Sequence, residues 1–599
     1  MGKAKAWSDQ SYVFLIGLIF FVVVAAFGWV KLQYGFCLMD EGLHMTESWR
    51  LTAGDHFLRD KLIDTNRLYT LINSLVFRAS PNITLLGFRR LQYLLTLFSL
   101  LLFTIALSRV DGQYWYQPFV FSLFAFTGLD PNGAFSNLNY YTYPHLFLTL
   151  HLSFLLLGLF RDNIVAKRLL YVASGLCLWA ISLAVLHLGV VVLSPVLLFI
   201  VARKSGLKSF SFTLKDLTYV LGPFVFCWLL FLGIYKKPYI LSLLTSVGIS
   251  VKTHGALIDA NWDALEHIAI TMFLLVIGIY VLKKVTFRKF IFISAIISIL
   301  TYFIIDTSCF SLIRPYYRGW FSRPMWFSSL LISFFIIFLF NIVRKHFTDR
   351  PLNKGEELSI TLLIPCVILS VIGSIFSTDG VLMVSYTAIP ATAAIASMVL
   401  YNKTIQGKAY SVKALVLIII LLPFYYTTAW SDWRFTYFDL FPEQEDVTIN
   451  EGFAKGIKTN SIYYDLYKWI RTNTERYTKK DDFMISYIIS PMTYMISKRR
   501  PALDHSFTEF LEKPMEFYEK SIKKMKKMRR YPKIVFVFEG IPALFPVSLK
   551  EDKFFWFGKQ FDFNTSQDPI SRYVKQNMKL VSAFELCKGD VARCFVAGR

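Results

Sequence analysis

Residues 12–30 read YVFLIGLIFFVVVAAFGWV, nineteen positions without a charge, and ten residues further on Asp40 and Glu41 stand side by side. At 1.5 Å per helical residue the run covers about 28 Å, close to the roughly 30 Å hydrocarbon thickness of a bilayer. It is too long for a signal-peptide core and has no small-residue cleavage site, so it reads as a retained anchor. A charged side chain costs about 2.5–3.5 kcal/mol near a membrane centre. Two acids at the edge of such a span therefore point to chemistry done where lipid head groups meet water.

Working outward, the pattern repeats. The 599 residues are 55% hydrophobic and 17% aromatic, against about 45–50% apolar residues in soluble domains. Apolar runs predict about thirteen crossings: 12–35, 87–107, 114–128, 144–160, 168–186, 188–202, 217–235, 267–282, 290–305, 326–342, 358–377, 381–400 and 413–430. The formal net charge is +23, but its placement argues against nucleic acid as a partner. Lys3 and Lys5, then Arg161, Lys167 and Arg168, then Arg203, Lys204 and Lys208, and later Lys283, Lys284, Arg288 and Lys289, fall in alternate loops. That is how basic residues mark the cytoplasmic side. An odd number of crossings puts the C-terminal segment opposite the N-terminus. The expected division is a membrane part, 1–430, with a long first outer loop, 36–86, and an extracytoplasmic α/β domain, 431–599.

Within that loop, Met45–Leu51 and Leu68–Phe77 have mixed faces suited to helices lying along the interface. A second outer loop carries the turn Asp130-Pro131-Asn132-Gly133. Others carry Lys252 and His254, and Arg314, Arg318 and Arg323 among Tyr316, Tyr317 and Trp320. In the tail, Asp482–Ile489 and Lys533–Phe538 read as buried strands, and Phe507–Arg530 between them has helical spacing. The run KKMKKMRR, 523–530, reads as a solvated helix face, with attraction to an anionic membrane surface as the functional alternative.

A lone Asp at a span end is usually a solubiliser. Here a second acid adjoins it, and separate basic clusters lie in other outer loops. Cations that hold a phosphate and a carboxylate that takes a proton from an acceptor suit a polyprenyl-phosphate sugar. Its leaving group is already a stable anion, so one base and a phosphate clamp suffice. Direct displacement would invert the anomeric carbon, unlike hydrolases that need two carboxylates.

These residues also carry a resemblance. Met39-Asp40-Glu41-Gly42, Glu47 and Gly54-Asp55-His56-Phe57-Leu58 resemble the first outer loop of C-type-fold membrane glycosyltransferases. The likeness is to the protein O-mannosyltransferase and lipid A aminoarabinose transferase superfamily. Asp481-Asp482-Phe483 through Tyr494, with Arg499-Arg500-Pro501, is similar to the tail of bacterial members. The resemblance implies a GT-C-like fold, Asp40 as catalytic carboxylate and Glu41 as its partner. Arg67 stands where the family keeps a phosphate-binding Lys, although the flanking prolines of that motif are missing. Asp130 falls in the region of a second acid, with a turn residue as the equal alternative. Arg314 and Arg318, supported by Arg67, Lys252 and His254, are the expected donor-phosphate ligands; each could instead anchor a span end. Trp430-Ser431-Asp432-Trp433 is not the oligosaccharyltransferase Trp-Trp-Asp motif, which favours transfer of a single sugar.

No cofactor is required by this scheme and no metal site is expected. The adjacent acids are compatible with a divalent cation such as Mg or Mn, but nothing demands one. If the tail lies outside the cytoplasm, a Cys587–Cys594 disulfide closing a short loop is expected. The partners are then a polyprenyl-phosphate sugar and a lipid, glycan or protein acceptor, in a bacterial inner membrane with the site facing the periplasm. The main rival is a transporter or flippase of polyprenyl-linked or anionic lipids, which would place ionisable residues within spans.

Overall fold

The computed structural model describes residues 28–38, 40–57, 68–109, 142–204, 211–250, 354–375, 446–488, 490–506, 515–539, 563–587 and 590–598, with isolated positions 22, 25, 26 and 336. Residues 28–31 are helical and end the first apolar run. Then follow α1 (Asp40–Thr52), α2 (Leu68–Ala79), α3 (Leu85–Ser108), α4 (Thr142–Leu159) and α5 (Ile164–Ala184). A 3-10 stretch, Leu186–Val192, leads into α6 (Leu193–Lys204), and α7 runs from Leu214 to Ser250. Further on, α8 (Lys354–Leu358) passes through a π turn, Ser359–Leu363, into α9 (Ile364–Ile375).

Among the described residues six segments are long and apolar enough to cross a membrane: Leu85–Leu107, Thr142–Leu159, Ile164–Ala184, Leu186–Arg203, Leu214–Tyr235 and Glu356–Gly373. The chain is a polytopic α-helical membrane protein. The six fall on the expected spans at 87–107, 144–160, 168–186, 188–202, 217–235 and 358–377. The runs at 114–128, 267–282, 290–305, 381–400 and 413–430 lie outside the described residues, as does 326–342 apart from position 336. The closely spaced pair around His187 is present. One residue in extended conformation, Val185, separates them.

Contacts show how the helix ends sort. Lys167 Nζ lies 3.3 Å from Asp216 Oδ2 and Arg168 stacks 5.2 Å over Tyr219, joining the start of α5 to that of α7. At the other end Phe57, just past α1, meets the Tyr235 ring edge-on at 5.3 Å. The Leu85 amide, opening α3, donates to the Phe453 carbonyl at 2.8 Å. The helices therefore put Arg161, Lys167 and Arg168 at one end, and α1, α2 and the C-terminal segment at the other.

The C-terminal segment begins with a short antiparallel pair, β1 (Val447–Thr448) and β2 (Lys458–Thr459), and α10 (Ser461–Tyr477), capped by Asn460. A five-stranded sheet follows in the order β4-β3-β5-β7-β6. β3 (Phe483–Tyr487) lies parallel to β4 (Arg500–Pro501) and to β5 (Pro532–Glu539). β6 (Met578–Cys587) and β7 (Asp590–Ala597) form an antiparallel hairpin on the other side. α11 (Met492–Ser497), α12 (Met515–Lys527) and α13 (Pro569–Asn577) pack around it. Trp469 of α10 seats α10 on the sheet, with Phe536 at 5.4 Å and a 2.9 Å bond from Nε1 to Ser582 Oγ.

Two expectations change. The register sets Cys594 opposite Ser582 and Cys587 opposite Asp590. The two cysteines are thus several strand positions apart, at about 3.3 Å each, well beyond the 4.4–6.8 Å Cα spacing of a disulfide. Cys594 is a free, buried thiol, which burial pushes up to about 12. The basic run is only partly solvated: Lys523, Lys526, Lys527 and Arg529 are exposed, whereas Lys524 and Arg530 are ion-paired to Asp504 and Asp55.

Candidate active site

The chain leaves its first apolar segment pinned to the tail. Gly35 N donates to Lys458 O (3.1 Å), Lys458 N to Gln33 O (2.6 Å) and Met492 N to Leu38 O (3.0 Å). Asp40 then opens α1. This helix is not an amphipathic element lying on a surface: Glu41, His44, Met45, Thr46, Glu47, Ser48 and Arg50 are all buried. Membrane helices enclose it on one side and the tail on the other, which is why its polar residues need internal partners.

Glu41 meets α3. Arg89 Nε donates to Glu41 Oε1 at 2.8 Å and Nη2 to Oε2 at 2.6 Å, with both side chains 1% exposed. The remaining donors of Arg89 reach the carbonyls of Leu32 (2.9 Å), Tyr34 (3.0 Å) and Gly35 (3.0 Å). All five N–H groups of the guanidinium are thereby used. Burial raises the Glu41 carboxyl above its ordinary range, against the charge and hydrogen bonds of Arg89. Arg89 was absent from the expected site. Its signal was the pair Arg89-Arg90 at a span end expected to face outward, an exception to the positive-inside pattern, near the Asp-Glu pair.

The first turns of α1 also touch the tail backbone. A Cβ on Gly42 would stand 2.3 Å from the Met492 nitrogen, so only glycine permits this approach. Thr46 Oγ1 donates to Pro491 O at 2.8 Å. At the helix end Arg50 Nε bonds Asp55 Oδ2 at 2.7 Å, Nη1 bonds Ser506 Oγ at 3.2 Å and Nη2 bonds Leu503 O at 3.3 Å. Gly54, with φ +99°, turns the chain so that Asp55 faces back. Asp55 Oδ1 accepts from Arg500 at 2.6 Å and pairs with Arg530 at 3.0 Å. Burial raises the Asp55 carboxyl, but Arg50, Arg500 and Arg530 outweigh it and hold the group below its ordinary value.

Lys498 lies beside this junction in the left-handed conformation (φ 52°). Its ammonium is 4.8 Å from the Phe453 ring, 5.6 Å from Trp49 and 5.9 Å from Phe77. Burial lowers it to about 8, while the ring faces favour its charged form.

The Glu41 carboxylate is taken up by Arg89. Arg67, Asp130, Lys252, His254, Arg314 and Arg318 lie outside the described residues. Among the described residues no three His, Cys, Asp or Glu side chains converge as metal ligands would. Asp504, His505 and Ser521 form a buried trio, but Ser521 Oγ and Asp504 Oδ1 both approach His505 Nδ1, each at 3.1 Å. A nucleophile relay needs them on opposite ring nitrogens, so this trio is a packing cluster.

No protein-family model and no curated protein sequence matches this chain. Among solved structures it is similar to ArnT from Cupriavidus metallidurans in the apo state, with TM-score 0.48, 13% identity and 98% of each chain covered. It is similar to the same protein bound to undecaprenyl phosphate, with TM-score 0.46, 11% identity, and 96% of this chain and 97% of that one covered. It also resembles the archaeal oligosaccharyltransferase AglB from Archaeoglobus fulgidus in complex with an inhibitory peptide and a dolichol-phosphate. There the TM-score is 0.41 and the identity 11%, over 87% of this chain and 69% of that one. At TM-scores below 0.5 these overlaps are loose, and the functional reading stands on the residues themselves.

Proposed function

We propose that the chain is an integral-membrane glycosyltransferase with a GT-C-like fold. It moves a single sugar from a polyprenyl-phosphate donor to a cell-envelope acceptor (lipid, glycan or protein), with inversion. Asp40 is the general base that deprotonates the acceptor, and Glu41 is the residue that holds the helix bearing it. The donor phosphate is assigned to Arg314 and Arg318, with Arg67, Lys252 and His254 in support; Asp130 is the candidate second acid. The active site and the tail face the periplasm of a bacterial inner membrane.

One observation carries this reading: Asp40 begins a helix held by a buried ion pair on one side and by the tail on the other. A solubilising carboxylate needs no such support, whereas a general base must be placed to within a fraction of an ångström. The sidedness rests on Arg161, Lys167 and Arg168 standing at the helix ends opposite α1. Against the transporter, the Asp, Glu, Lys and Arg residues of the six described spans all fall near span ends: Arg89, Arg90, Lys167, Arg168, Arg203, Lys215, Asp216, Glu356 and Glu357.

The test is transfer of radiolabelled sugar from defined polyprenyl-phosphate donors by the purified protein, with Asp40→Asn beside it. Turnover that disappears in Asp40→Asn, with donor binding retained, supports the assignment. Near-normal turnover by that variant removes Asp40 from the role. Movement of the lipid donor without bond formation favours the transporter.

A further inference from the structure

We propose that Asp55 is a positioning residue that couples the tail to the catalytic helix, an inference that rests on the function proposed above. The Asp55 side chain is 1% exposed, and its two oxygens join three guanidiniums, one from α1 and two from the tail. Arg50 belongs to α1 itself, Arg500 to β4 at the edge of the sheet, and Arg530 to the turn before β5. Glu47, 3.5 Å from Arg50, is the other acid of the group. With both acids ionised the group still carries a formal charge of +1, so no guanidinium can be spared its carboxylate without leaving like charges in contact.

The geometry makes this group a lever on Asp40. α1 is only thirteen residues long, about 20 Å. Its far end is fixed by Asp55, its middle by Thr46 on Pro491, and its first turn by Gly42 against the Met492 backbone. Pro491 precedes α11, Met492 is its first residue, and Arg500 follows α11 by three residues. The same ten-residue stretch, 491–500, therefore touches both ends of α1. Shifting it at the Asp55 end also moves its contact at the Asp40 end. Glu41–Arg89 fixes the helix to the membrane part, and Asp55 fixes it to the tail.

The experiment compares Asp55→Asn, Asp55→Glu and Val535→Ala in the purified full-length protein. Val535 is fully buried in β5, so its truncation loosens the tail core without touching the arginines. Three readouts are taken: kcat, donor KM, and hydrogen exchange of the amides of residues 40–52 and of Met492. The expected result is a loss of kcat of at least tenfold in Asp55→Asn, with donor KM within about twofold and exchange of α1 accelerated. Asp55→Glu recovers part of kcat, and Val535→Ala keeps kcat despite a comparable loss of thermal stability. Unchanged kcat in Asp55→Asn, or an equal kcat loss in Val535→Ala, overturns the proposal. If the wild type transfers no sugar from any lipid-phosphate donor, the parent reading fails instead. The exchange arm then decides: slow α1 exchange in Asp55→Asn, as in the wild type, refutes the coupling, and fast exchange supports it.

Discussion

Replacing the two members of the Glu41–Arg89 pair separately and together should give an order of damage that the structure fixes in advance. Glu41→Leu removes two acceptors and leaves Arg89 buried with an uncompensated charge, although its bonds to Leu32, Tyr34 and Gly35 survive. Breaking one side of a buried pair costs about 3–5 kcal/mol. Arg89→Met should cost more. It strands the Glu41 carboxylate and also removes the donors to three carbonyls, at roughly 1 kcal/mol or more for each that finds no water. The double variant puts apolar groups where the pair was and keeps only the carbonyl penalty. It should therefore be less damaged than Arg89→Met alone. Apparent melting temperatures at one scan rate, in one detergent, rank the three, since membrane-protein unfolding is often irreversible. Additive losses, or Arg89→Met milder than Glu41→Leu, would refute the account of Arg89 as a hub that serves more than the carboxylate.

Other outcomes follow from neighbouring residues. Gly42→Ala places a methyl 2.3 Å from the Met492 nitrogen. It should lower stability by about 1–3 kcal/mol and reduce sugar transfer, whereas wild-type turnover in that variant would show that the helix and tail can part freely. Because Asp55 sits below its ordinary value of 3.8, its stabilisation is complete above that pH and is lost as pH falls through the lower folded value. The stability gap between wild type and Asp55→Asn should thus stay constant near neutrality and narrow below about pH 4. A gap that stays wide in acid contradicts this. Lys498 has the opposite sign. Its folded value of about 8 lies under the ordinary 10.5, so wild-type stability from this group rises with pH across that window. Lys498→Met should be the more stable form below pH 8 and lose that advantage by 10.5; thermal melts across that range decide it.

Spans were legible because a membrane demands long unbroken apolar runs, and all six described crossings fall where such runs stand. α2 was legible from its two-faced pattern. α1 was legible only in part: Met45–Leu51 suggested a helix, but its polar residues Glu47 and Arg50 pointed to water rather than to each other and the tail. In the sheet, β3 and β5 are buried runs between turn residues and were readable. The β6–β7 hairpin was not, because Lys579, Glu585, Asp590 and Arg593 break its apolar alternation and two register shifts disturb it. At the site, Asp40 and Glu41 drew attention through their place at a span end, their adjacency and the family resemblance of the loop they open. The tail partners of Asp55 had no local signal, since Arg500 is 445 residues away and no spacing rule spans such a distance.

That separation has a consequence for biogenesis. α1 leaves the ribosome early, yet the tail groups that seat it, Pro491, Met492, Arg500 and Arg530, are made more than 430 residues later. At about 5–20 residues per second, the first loop waits roughly 20–90 seconds for its counterpart. Until translation passes position 530, the nascent protein can insert its spans but cannot complete the tail contacts of the helix that begins at Asp40. Truncated chains released early would therefore be membrane-bound with α1 still unseated.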